Sequence, residues 1–258
     1  MQRNPAFLVD GHAHIYPSFS LHMALQAATN ALHDSHPNTP RVICLAEPAG
    51  CNVFEQLSRF PHLGDDGFMI RVDDGCLRVE SVNSSPLCYL LPGRQVVTAE
   101  NIEVLALNVK DDIPSGLPAV DTVKRAVDLG ALPVLAWSPG KWFFKRKAVI
   151  ERVLETFGPK EIAIGDTTLR PVGWSTPQLM RSALDAGYRV LCGSDPLPFP
   201  GEECRLGSYM TELCWDGPKL QPSELISGFL KNKQIDTRSV GSRGNIGSVA
   251  SRIVRNAF

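Results

Sequence analysis

Two imidazoles separated by one small residue are the most suggestive chemistry in this chain. Asp10-Gly11-His12-Ala13-His14 follows directly on the apolar stretch 6–9. An extended backbone alternates its side chains with period two. Asp10, His12 and His14 are therefore expected on one side, where His12 and His14 reach one divalent ion and Gly11 and Ala13 leave room for it. Carboxylates from elsewhere must complete such a shell. Asp195, in Gly193-Ser194-Asp195, and Asp166, in Ile164-Gly165-Asp166, each follow a short apolar run. Mixed imidazole and carboxylate ligation suits zinc, manganese or iron. The alternative for Asp166 is a turn aspartate capping a loop. Glu47, before Pro48, reads as a surface-loop residue, and His33 and His36 as part of a solvated helix terminus where cations complement the dipole.

Two cations belong to the same argument. Lys141 and Arg170 each follow an apolar run, which places an ammonium and a guanidinium on the rim that carries the histidines. There they would bind an anionic substrate, Arg170 in bidentate fashion. The alternative is an Arg170 paired with a neighbouring acid and a solvated Lys141. The run Lys141 to Lys147, with Trp142, Phe143 and Phe144 among its basic residues, reads as a helix start with apolar rings inward and amines outward.

What must position these residues is a set of short, nearly continuous apolar runs at 6–9, 42–46, 102–107, 132–136, 161–164 and 188–192. Helix-like stretches at 21–32, 120–129, 148–157 and 177–186 alternate with them, which is how a parallel sheet covered by helices reads. Two more follow at 222–230 and 245–256. Between 67 and 98 the pattern changes to two hairpin-like units, turning at Asp73-Asp74-Gly75 and at Pro92-Gly93-Arg94. Each strand candidate ends in, or is followed at once by, a polar group: Asp10, His12, His14, Glu47, Asn108, Ser138, Asp166 and Asp195. In parallel α/β architectures the carboxyl ends of the strands form one face, and sites are built there.

Composition excludes several classes. The chain has 258 residues, 43% hydrophobic and 21% charged, so it is neither disordered nor low in complexity and can bury a sizeable core. A net charge of -1 provides no field to concentrate a polyanion, and nucleic acid is not an expected partner. The apolar runs are far short of the roughly 20 residues a bilayer requires, so no membrane partner is expected. The first ten residues lack the features of a signal peptide, and a cytoplasmic location is expected. Seven cysteines with no Cys-x-x-Cys pair, three of them inside apolar runs, predict reduced thiols and no structural disulfide.

Asp10-Gly11-His12-Ala13-His14, together with Gly193-Ser194-Asp195 after the last apolar run, resembles the amidohydrolase-like superfamily of metal-dependent hydrolases on TIM-type barrels. The resemblance implies that His12 and His14 bind metal and that Asp195 both binds metal and takes the proton of the attacking water. It also implies that barrel closure brings the last strand beside the first. The family's later histidines have no counterpart, since all six His (12, 14, 22, 33, 36, 62) lie within the first 62 residues, so the implied centre is a reduced one. The PHP phosphoesterases also open with His-x-His, but their late Asp-x-His is absent here, because Pro196 follows Asp195.

The resulting expectation is one domain over 1–258, a TIM-like (β/α) barrel, irregular or with fewer than eight strands, bearing an antiparallel hairpin insertion near 67–98. It would act as a metal-dependent hydrolase on a small anionic molecule. Its ligands would be His12, His14, Asp195 and Asp166, with Asp195 as the base and Lys141 and Arg170 binding substrate. The alternative is a barrel that has lost its metal chemistry and serves as a binding or regulatory module.

Overall fold

Apolar residues become strands where both faces of the strand are covered, because only there is every side chain removed from water. The computed structural model describes residues 5–59, 67–81, 87–218 and 220–257; His62 lies outside them. In chain order the elements are β1 (Pro5–Ala13), α1 (Leu21–Asn30), β2 (Arg41–Leu45), α2 (Val53–Arg59), β3 (Phe68–Asp73) and β4 (Cys76–Ser81). There follow β5 (Cys88–Leu91), β6 (Gly93–Val97), β7 (Glu103–Leu107), α3 (Ala119–Asp128), β8 (Leu132–Ala136) and α4 (Lys145–Thr156). The remainder is β9 (Ala163–Thr167), α5 (Gln178–Asp185), β10 (Val190–Gly193), a 3-10 turn at Glu202–Arg205, β11 (Tyr209–Cys214), α6 (Pro222–Gly228), β12 (Asp236–Gly241) and α7 (Ile246–Ala257).

These strands do not form the expected TIM-like barrel. They make two sheets, a seven-stranded one in the order β12-β11-β1-β2-β5-β4-β3 and a five-stranded one in the order β10-β9-β8-β7-β6. A TIM barrel needs every strand parallel to its neighbours. Here β7 is antiparallel to both β6 and β8, and β1 is antiparallel to β11. The second expected hairpin is likewise absent, because β5 pairs with β2 and β4 while β6 pairs with β7 in the other sheet. Pro92-Gly93 is a corner between sheets. A Cβ on Gly93 would lie 2.4 Å from the Leu45 carbonyl oxygen, so this corner requires glycine. The β3–β4 hairpin is present. Asp74 and Gly75 carry it at φ 40° and 82°, the paired positive values that match a two-residue turn to strand twist.

The two sheets face one another across a core built from alternate residues of each, including Phe7, Val9, Val42, Cys44, Leu105, Val134, Ala163 and Leu191. The outer faces are covered separately, the larger sheet by α1 and α2 and the smaller by α3, α4 and α5. The sheets touch at two seams. At one, the Asp195 amide donates to the His12 carbonyl at 2.8 Å; at the other, Glu47 and Arg94 form an isolated parallel bridge. Leu225, Ile226 and Phe229, from α6 and the residue after it, close one end of the core, and Asn108, just past β7, donates to Ser223 O and Ser227 Oγ there. Glu103 lies at the other end of β7. No helix among the described residues is long and apolar enough to cross a membrane.

Candidate metal centre

The first strand does not alternate uniformly. Leu8 packs on the outer face of its sheet and Phe7 and Val9 on the inner face, whereas Ala13 and Ile15 lie on the outer face. The parity has changed, and it changes at a register shift between Asp10 and Ala13. One slipped residue reverses the side to which every later side chain points. His12 and His14 consequently face the inner side, and Asp10, expected with them, does not.

Asp10 has a different task. Its carboxylate, wholly buried, accepts from the amides of His12 (3.2 Å), Ser194 (3.0 Å) and Gly207 (2.9 Å) and from Ser194 Oγ (2.5 Å). Burial pushes this carboxyl up to about 6 against the four hydrogen bonds that favour its ionised form. It fastens β1 to the segment after β10. The approach of those strands is close enough that a Cβ on Gly193 would lie 2.4 Å from the His12 Cβ, and one on Gly11 would lie 2.9 Å from the Leu191 Cβ.

The result is that Asp195 faces both imidazoles. Its Oδ1 lies 3.6 Å from His12 Nε2 and 3.7 Å from His14 Nε2, and the ring centroids are 4.9 Å apart. All three side chains are buried, and their ligand atoms lie within 4.8 Å of one another. Burial, then the neighbouring His12, hold His14 well below the ordinary imidazole value, which keeps it neutral as ligation requires. Burial raises the Asp195 carboxyl, His12 opposes the rise and Glu103 adds to it. Nε2 is the nitrogen that each imidazole turns to the Asp195 carboxylate, so an ion in the cluster would be held by the two Nε2 atoms and the carboxylate oxygen. Two imidazoles and one carboxylate with a position to spare is also the donor set of catalytic zinc and non-haem iron sites. The residues fit a divalent ion.

Around this cluster stand groups with no sequence motif to announce them. Gln95 Oε1 lies 3.0 Å from His12 Nε2, and Tyr16 stacks on His14 at 5.1 Å and 26°. Thr167 hydrogen-bonds the Asp195 carboxylate. Glu103 accepts from Ser138 Oγ at 2.7 Å and from Lys141 Nζ at 2.5 Å. Burial works to raise the Glu103 carboxyl, but Lys141 and Ser138 outweigh it and hold it below the ordinary range. Inward-facing parity on β6 and β7 is the signal that could have found Gln95 and Glu103, since Leu105 and Leu107 share their side.

Asp166 is not brought into the cluster. Strand alternation on β9 turns Ala163 and Thr167 inward and Ile164 and Asp166 outward. Its carboxylate is taken by Arg170, whose Nε and Nη2 donate at 2.7 and 2.5 Å, and by the Tyr209 hydroxyl at 3.0 Å. Arg170 is thereby also removed from the histidine rim, and its Nη1 donates to the Trp174 carbonyl. Lys141 remains on the rim, paired with Glu103 rather than solvated. Glu47 is no surface-loop residue: it is buried, accepts from the Phe54 amide at the start of α2 and pairs with Arg94 at 3.0 Å. His36 pairs with Glu212 at 3.0 Å. In the 141–147 run Trp142 is buried as expected, but Phe144 is 93% exposed, with φ 56°.

No family model matches the chain, and no curated protein matches it. Among solved structures the fold is similar to PsfC from Pseudomonas syringae PB-5123, at 12% identity and a TM-score of 0.56 over 97% of this chain and 96% of that one. It is also similar to PfuEndoQ from Pyrococcus furiosus, a novel lesion-specific endonuclease, at 13% identity and a TM-score of 0.53. That match covers 91% of this chain and 58% of the endonuclease. At such identities the likeness is one of fold alone.

Proposed function

We propose that this protein is a metal-dependent hydrolase acting on a small anionic substrate, with His12, His14 and Asp195 holding a divalent ion. The observation that carries the reading is the buried convergence of these three side chains, with Nε2 of both imidazoles turned to the Asp195 carboxylate. The motif resemblance to amidohydrolase-like enzymes supports it, and the fold is compatible with it, since one protein of similar fold is a lesion-specific endonuclease.

When bound, a divalent ion lowers the pKa of a water molecule and polarises the electrophile. Asp195 would take the water's proton at its carboxylate. His12 and His14 act as neutral donors. Glu103 stays ionised and holds Lys141 at the rim. A divalent ion at the cluster, with Glu103 already paired to Lys141, would favour an anionic substrate.

Elemental analysis of protein purified without chelators or affinity-tag metals tests the reading, followed by hydrolysis of phosphate and carboxylate ester probes after loading with zinc, manganese or iron. About one metal per chain with ester hydrolysis is expected. Failure of the wild type to take up any metal would overturn it and favour the binding-module alternative.

A further inference from the structure

We infer that Arg252 of the C-terminal helix is a positioning residue for the metal centre, holding the backbone of Asp195 so that its carboxylate faces His12 and His14. The inference rests on the reading of those three residues as a metal site.

Arg252 is 3% exposed, and all three nitrogens of its guanidinium are engaged. Nε donates to both oxygens of Glu202, at 3.0 and 2.9 Å, and Nη2 to Glu202 Oε2 at 2.7 Å. Nη1 donates to Thr168 Oγ1 at 2.8 Å, and Nη2 also donates to the Asp195 carbonyl at 2.9 Å. Thr168 Oγ1 passes the connection on by donating to the Ser194 carbonyl at 2.5 Å. One side chain thus ties together the segment after β9, the segment after β10 and the 3-10 turn.

Asp195 needs such a hold. Its φ of 47° lies in the left-handed region, which aspartate enters more readily than most residues with a Cβ but still at a cost. The constraints are identifiable. The Asp195 amide is fixed on the His12 carbonyl, the Ser194 amide and hydroxyl on Asp10, the Ser194 carbonyl on Thr168 and the Asp195 carbonyl on Arg252. Of these, only the last two reach the carbonyl side of the turn; Arg252 makes the second directly and donates to the Thr168 hydroxyl that makes the first.

Stability alone does not account for a buried ion pair, which an apolar pair of similar volume commonly replaces without loss. The helix has apolar attachment of its own, with Val249 packed on Leu169 and Leu197 and Arg255 lying over the Phe199 ring at 4.1 Å. A guanidinium is what supplies donors in several directions at fixed angles to three acceptors at once.

The test uses the full chain, with zinc(II) affinity measured by chelator competition and the visible spectrum of the cobalt(II)-loaded protein as a report on ligand geometry. Arg252→Lys keeps a positive charge against Glu202 but loses the fork. The double variant Arg252→Met with Glu202→Gln removes both charges together and serves if the lysine variant does not fold. Thermal unfolding checks that the variants are native at the assay temperature. In a folded variant zinc affinity should fall about 10- to 100-fold, the range for removing a partner that orients a ligand, and the cobalt spectrum should change. Folded variants with wild-type affinity and spectrum would overturn the role of Arg252 while leaving the metal reading intact. Wild-type protein that binds no zinc or cobalt would overturn both.

Discussion

His12, His14 and Asp195 are placed by residues that touch no ligand position, and those neighbours decide what substitutions do. His12→Ala with His14→Ala removes two buried imidazoles whose Nδ1 atoms have no partner. That double variant should lose bound metal while remaining folded, which metal analysis beside circular dichroism would check; unchanged metal content would dismiss the ligand assignment. Gly193→Ala should be worse for the fold. Its Cβ would meet the His12 Cβ and backbone at 2.4 to 2.8 Å, where only main chain can give way. The expected cost is about 1–3 kcal/mol, the range for overpacking, together with loss of metal, because β1 and β10 are forced apart at the site. Denaturant titration and metal analysis of the same preparation would show whether the two losses occur together.

At the scale of elements, the register shift in β1 shows why motif spacing and structure part company. Period-two reasoning groups Asp10 with the histidines, but the bulge separates them, and Asp10 becomes the fastener of β1 to Ser194. The β3–β4 hairpin is the contrasting case, a local element distant from the candidate centre. Gly75 has φ 82° and nothing within 4 Å of an added Cβ, so Gly75→Ala introduces backbone strain and no clash. It should cost about 1–2 kcal/mol, the penalty for left-handed backbone in an L-residue. Metal affinity should not change. A fall in metal affinity greater than twofold in this variant would show that the hairpin is coupled to the centre.

For the whole molecule, the two-sheet core determines how the chain responds to alkali. All seven cysteines are free, and Cys44, Cys88 and Cys192 are buried. Burial pushes their thiols up, Cys88 to about 12 and Cys192 to about 11, and Cys44 upward with Asp10 adding to the rise. The unfolded chain releases these protons near the ordinary cysteine value of about 8.5. Between that value and the raised ones the unfolded state binds fewer protons than the folded state, so stability falls as pH rises. The slope approaches about 1.4 kcal/mol per thiol per pH unit. Urea unfolding between pH 8 and pH 10.5 should show this decline, and a flat profile would contradict it. At neutral pH, exposed Cys204 should be alkylated well before these three.

The positions of most strands and helices, and the residue types of the candidate centre, were determined by the sequence alone, because both rest on local pattern. An apolar run such as 132–136 must be buried wherever it goes, and a His-x-His puts two imidazoles on one side of any extended strand. Pairing was decided only in three dimensions. Nothing in the run of β7 says that both its neighbours are antiparallel, since hydrophobic periodicity is blind to strand direction, and the expected barrel failed on that point. β11 and β12 were invisible for a related reason. β11 buries Thr211 and Glu212, the latter paired with His36 and Arg238, and β12 is an exposed edge strand, so neither carries an apolar run. Asp166 and Asp195 each follow an apolar run and look alike in sequence. Strand parity turns Asp166 outward to Arg170, whereas a left-handed backbone residue, clasped from the far end of the chain by Arg252, turns Asp195 to the histidines.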